Sequence, residues 1–167
     1  MEFLRKAGRA VLAADDFAAK AETAALLALA LAVIGLSATQ MALRIFFEKS
    51  VLWLDPMGRH LVLWAGFLGA ALAAHGGKHF SLDLAERFAP EGKARLFGAV
   101  GRLAAAAACV FLGAASVRFL KDEAAAKSVL FSIGSRQIPA VWLELALPIG
   151  FALVFFHSLA GLLKEKK

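Results

Sequence analysis

From Thr23 to Leu43 the chain carries no charged residue. As a helix rising about 1.5 Å per residue, this run is about 31 Å long, enough to cross a hydrocarbon core of about 30 Å. Lipid offers the backbone no hydrogen-bonding partner, so such a run must bond within itself, which makes it a helix. The rest of the sequence agrees. Hydrophobic residues make up 60% of it, charged residues 19%, and mean hydropathy is +0.70, against about 45–50% and about 25% in soluble domains. Arg5, Lys6 and Arg9 precede the run, as they would in a secretory signal. A signal's apolar region is only about 7–15 residues long, so an uncleaved spanning helix is expected.

The pattern predicts an all-α integral membrane protein, residues 1–167 forming one membrane domain with four spanning helices and short interfacial amphipathic helices. Residues 1–20 mix Phe3, Leu4, Val11, Leu12 and Phe17 with basic residues and read as a helix lying on the membrane surface. The first span covers about 22–45. The second covers about 56–76, with Asp55-Pro56 as its start signal and Gly76-Gly77, tolerant of left-handed backbone, as its end. Residues 80–89 read as an interfacial turn or helix. The third span covers about 91–121, its centre bracketed by Arg102 and Arg118, both able to reach an interface. A long loop leads to the fourth span, about 139–163, where Pro148 predicts a kink. Lys and Arg number twelve on the side of the two termini and seven on the other, which places both termini in the cytoplasm.

The net charge of +6 comes from basic residues flanking apolar runs, so anionic lipid headgroups are the expected partner and nucleic acid is not. Cys109 stands alone within an apolar run and reads as a packing residue. No Asp, Glu, Lys or Arg falls near the middle of a span. A chain that moved ions or protons unaided would need one, so this one reads as a scaffold or accessory subunit. A small multidrug-type exporter would want a carboxylate deep in the first span, and none is there. His75 and His157 lie toward the same end of two parallel spans, and a small electron-transfer protein holding one haem between them is the alternative. His75 and His79 are four apart, but Gly76-Gly77 interrupts the helix between them, and no metal or other cofactor is expected. Ala65, Gly69 and Ala73 form one stripe of small residues, and Gly66, Ala70 and Ala74 a second; such stripes admit close helix approach, within this chain or to another subunit.

The span from Trp53 to Leu84, "WLDPMGRHLVLWAGFLGAALAAHGGKHFSLDL", resembles the DctQ family, the small membrane subunits of tripartite ATP-independent periplasmic (TRAP) transporters. The matching features are Trp53, Asp55, Arg59, Trp64, the segment Phe67–Ala70, His79 and Asp83, with "IPAVWLELALPIGFAL" (Ile138–Leu153) similar to the family's last helix. Pro56 departs from the pattern, since many members have a second acid there. The resemblance implies a subunit that is not an enzyme, in a bacterial inner membrane. It would brace a large elevator-type permease subunit within a sodium-driven organic-acid transporter and help dock the periplasmic binding protein. It also implies partner or phospholipid contacts at Arg59, Trp64, Gly66, Gly69, His79 and Asp83, and binding-protein contacts at Glu48, Lys49, Asp55 and Arg136.

Overall fold

The computed structural model describes residues 2–76 and 94–164. The expected interfacial segment 80–89, with His79 and Asp83, lies outside the described residues. Helix α1 is Glu2–Phe47, α2 Leu54–His75 and α3 Ala94–Ala126; a hairpin of β1 (Val129–Ile133) and β2 (Arg136–Pro139) follows, then α4 (Val141–Glu144) and α5 (Ala146–Lys164). Among the described residues four stretches are long and apolar enough to cross a membrane: within α1, α2, within α3, and α4 with α5.

The structure joins the surface segment 1–20 and the first span into a single helix of 46 residues, about 69 Å long at about 1.5 Å per residue. Its less exposed positions explain the continuity. Leu12, Asp15, Ala19, Glu22, Leu26, Leu29, Val33, Leu36, Gln40 and Leu43 are all buried or half-buried and spaced alternately three and four apart. That 3.5-residue period is a coiled-coil seam, which keeps one stripe of a long helix against its neighbour. The neighbour is α2, with α5 joining at one end. The remaining faces of α1 are open: Leu27, Leu31 and Ile34 are each more than 60% exposed.

α5 lies between α2 and α3 and packs on both. The approach to α2 is close at Gly150, where an added Cβ would fall 2.2 Å from the Phe67 ring. Phe67 and Phe151 meet edge to face, with centroids 5.1 Å apart. The expected kink is a local break in the hydrogen-bond ladder at Leu145, between α4 and α5, where the backbone stays right-handed (φ −54°, ψ −18°). Pro148 has no N–H for the Glu144 carbonyl and its ring crowds that carbonyl, so the ladder lapses one turn before the proline.

Other local expectations are revised. α2 begins at Leu54 behind Trp53, and Asp55 sits in the first turn without capping it. Its last turn closes through the Gly76 amide, 2.9 Å from the Leu72 carbonyl, with Gly76 in right-handed conformation (φ −72°); Gly77 is outside the described residues. α3 runs five residues past the expected 121 and ends in a Schellman turn. The Ser128 amide bonds the Glu123 carbonyl and the Lys127 amide the Ala124 carbonyl, with Lys127 left-handed at φ 51°. The loop after it contains the antiparallel hairpin. Ile133 pairs with Arg136 across Gly134-Ser135, and Gly134 has φ +60°, as the first position of a two-residue II′ turn requires. The hairpin leans on the start of α2 through Phe131 and Trp53, ring centroids 6.1 Å apart.

Candidate functional site

Two carboxylates in the α1 seam make the most polar place in the bundle. Asp15 and Glu22 are seven residues apart, two turns, and so stand on one face of the helix. Both are buried, at 0% and 5% exposure. His157, also 0% exposed, reaches them from α5: its Nδ1 lies 2.6 Å from Asp15 Oδ1, and its Nε2 lies 2.9 and 3.1 Å from the two Glu22 oxygens. His75, at the last turn of α2, places Nδ1 2.8 Å from Asp15 Oδ2 and Nε2 3.7 Å from Asp16. The two imidazoles meet edge to face with centroids 5.3 Å apart. Three helices therefore converge on the Asp15 carboxylate.

The chemistry of this cluster follows from what each group can donate. A carboxylate only accepts, and a neutral imidazole donates from one nitrogen. Both nitrogens of His157 stand against carboxylates, and a neutral ring donates to only one of them; the second contact needs a further proton, on the ring or on a carboxyl, or a cation among the donors. Buried carboxylates without such a partner would carry a large desolvation cost.

The same end is closed by Arg102. Its guanidinium donates to the Gly161 carbonyl in the last turn of α5. Arg102 thus turns inward onto α5, where the sequence expectation sent it to an interface; Arg118 is exposed.

The opposite end gathers the other expected residues. Glu48, Lys49, Asp55, Arg59 and Arg136 are all exposed there, on the α1–α2 connection, the start of α2 and the hairpin. Arg59 and Arg44 line a groove of about 570 Å³ between α1 and α2, with Ser37, Gln40 and Asp55. Trp64 is used inside the chain: its indole N–H donates to the Leu143 carbonyl at 2.9 Å, tying α2 to α4. Among the described residues no neighbouring element comes within 4 Å of a Cβ built on Gly66 or Gly69, so none of them packs on that part of the small-residue stripes.

The proposed haem arrangement does not fit. Axial ligands face one another across a macrocycle, whereas His75 and His157 touch edge to face and share Asp15 between them. There is no room for a porphyrin between rings so placed.

Residues 33–166 match the family model for the DctQ component of tripartite ATP-independent periplasmic transporters. The chain belongs to the DctQ family. It is the small membrane component of a TRAP transporter and not an enzyme, and a DctQ component works with a large membrane subunit and a binding protein. No curated protein matches the chain. The family match begins at Val33, beyond Asp15 and Glu22, so the carboxylates of the cluster stand on the part of this chain that the match leaves out.

Sequence reasoning missed Asp15 and Glu22. Asp15 falls in the segment read as a surface helix and Glu22 at the start of the first span, and neither was singled out, although the heptad spacing Leu12, Asp15, Ala19, Glu22, Leu26 continues into the apolar seam and was the available signal. Their pairing with a histidine 142 and 135 residues away had no local signal.

Proposed function

We propose that this DctQ subunit is a static brace for the large permease subunit of a sodium-driven transporter for an organic acid, set in a bacterial inner membrane with both termini cytoplasmic. The observation that carries this reading is the absence of Asp, Glu, Lys and Arg from the central turns of all four spanning stretches: Thr23–Leu43, 61–74, 103–117 and 145–163 contain none. Substrate and cation must then be handled by a partner chain. The open faces of α1 and the bare Gly66 and Gly69 support a lateral contact with that partner, since small residues let a neighbouring backbone come close in lipid.

Arg59, beside Arg44 in the groove between α1 and α2, suits a phospholipid phosphate. Glu48, Lys49, Asp55 and Arg136 form the face on which the binding protein docks. His79 and Asp83 hold the turn after α2, and His79→Leu lowers assembly with the large subunit while leaving substrate choice unchanged.

Liposome uptake tests the reading. The chain alone should give no sodium-dependent uptake of any organic acid, and adding the large subunit and binding protein should restore it. Sodium-coupled uptake by this chain alone would overturn the proposal.

A further inference from the structure

We propose that Asp15, His75 and His157 bind one divalent transition-metal ion, with zinc as the reference ion, clipping α1 to α2 and α5. Each of the three residues offers a ligand atom, and these atoms lie within 4.8 Å of one another. The Nδ1 atoms of both imidazoles already address the same carboxylate, at 2.6 and 2.8 Å. A tetrahedral zinc site, with bonds of about 2.0–2.1 Å, has ligand atoms about 3.3 Å apart. Side-chain rotation of a few tenths of an ångström to about an ångström opens that space.

The outer contacts carry the argument further. Metal-bound histidines characteristically present their other nitrogen to a carboxylate, which orients the ring and raises its basicity. Here His157 does so, with Nε2 2.9 Å from Glu22, while His75 Nε2 lies 3.7 Å from the exposed Asp16, beyond hydrogen-bond distance. The donor set of two nitrogens and a carboxylate favours zinc and its first-row neighbours over calcium or magnesium, which take oxygen ligands. Access comes from one side: the His75 side chain is 22% exposed, while those of Asp15 and His157 are 1% and 0% exposed. Three protein ligands leave a fourth position for water. The site depends on tertiary packing of three helices and is independent of the transport reading.

The test uses the full-length chain, purified with a tag free of histidine, stripped with chelator and titrated with zinc alone. The wild type should retain one zinc per chain by elemental analysis and unfold at a higher temperature with zinc than with chelator. His75→Gln, at the accessible ligand, should lose the ion while keeping its helical content. Glu22→Gln, which touches only the outer nitrogen of His157, should weaken zinc by about 10–100-fold. Zinc binding left unchanged by His75→Gln overturns the proposal, as does a wild type that binds none. If His75→Gln does not fold, cobalt(II) added to the wild type decides the matter. Visible absorption of tetrahedral type that zinc displaces supports the site, and its absence overturns it.

Discussion

The two ends of this bundle use their charged and titratable side chains in opposite ways. At the end holding Asp15, Glu22, His75 and His157, the two carboxylates and His157 are buried, His75 is half-buried, and they meet across three helices within 2.6–3.1 Å. At the other end Glu48, Lys49, Asp55, Arg59 and Arg136 are exposed. A buried polar cluster contributes little net stability once desolvation is counted, but it is costly to break and so selects one arrangement of the helices. An exposed charge selects nothing within the chain and stays available to another molecule. The closed end therefore sets how the long α1 seats against α2 and α5, and the open end is the part free to meet partners.

The most damaging change to the closed end is His157→Leu, which leaves Asp15 and Glu22 buried without their shared partner. It should cost about 3–5 kcal/mol of stability, read as a large fall in the unfolding midpoint of the detergent-solubilised chain. The triple variant D15L/E22L/H157L should recover most of that loss, since an apolar set of similar volume is often as stable as a buried ionic one. A His157→Leu protein as stable as wild type would break the contrast between the ends.

Changes at the open end should be smaller. Gly134→Ala forces a side chain into left-handed backbone at φ +60° and should cost about 1–2 kcal/mol, loosening the hairpin. Hydrogen exchange confined to the β1–β2 amides would check it. Trp64→Phe removes the donor to the Leu143 carbonyl and should cost about 1 kcal/mol, with α4 the first segment to open. Replacing Glu48, Lys49, Asp55 and Arg136 together by alanine should leave the unfolding midpoint unchanged within error. The same variant should weaken capture of the binding protein, measured as a raised Kd that also rises with salt. A loss of stability there would show that the open end is structural after all.

What could be read without coordinates follows from range. The four spans were legible because lipid imposes a strong, local rule: each crossing needs about 20 mostly apolar residues, with charges kept away from its centre. The break before α5 was legible because Pro148 acts on the carbonyl four residues earlier. The hairpin was not, since "SVLFSIGSRQIP" is short and sits between helices, and its one turn signal, Gly134-Ser135, is weak alone. Trp64 carried a family resemblance but gave no sign that its N–H ends on Leu143.

Taken alone, the sequence determined that this is a helical membrane protein with four crossings, that it belongs with TRAP small subunits, and that no charge stands within the central turns of a crossing. The crossings and their uncharged centres rest on composition and on spacing within a single helix; the family rests on the resemblance of motifs along Trp53–Leu84 and Ile138–Leu153. Tertiary structure alone decided that Asp15 and Glu22 meet His157 and that His75 joins them on the same carboxylate. It also decided that Arg102 turns inward to Gly161 while Gly66 and Gly69 face outward. Each of these depends on which face of one helix meets which face of another more than 50 residues away in the chain, or on none meeting it at all. A local pattern of hydrophobicity restricts that choice to a stripe, and only the packing of the stripes selects the partner.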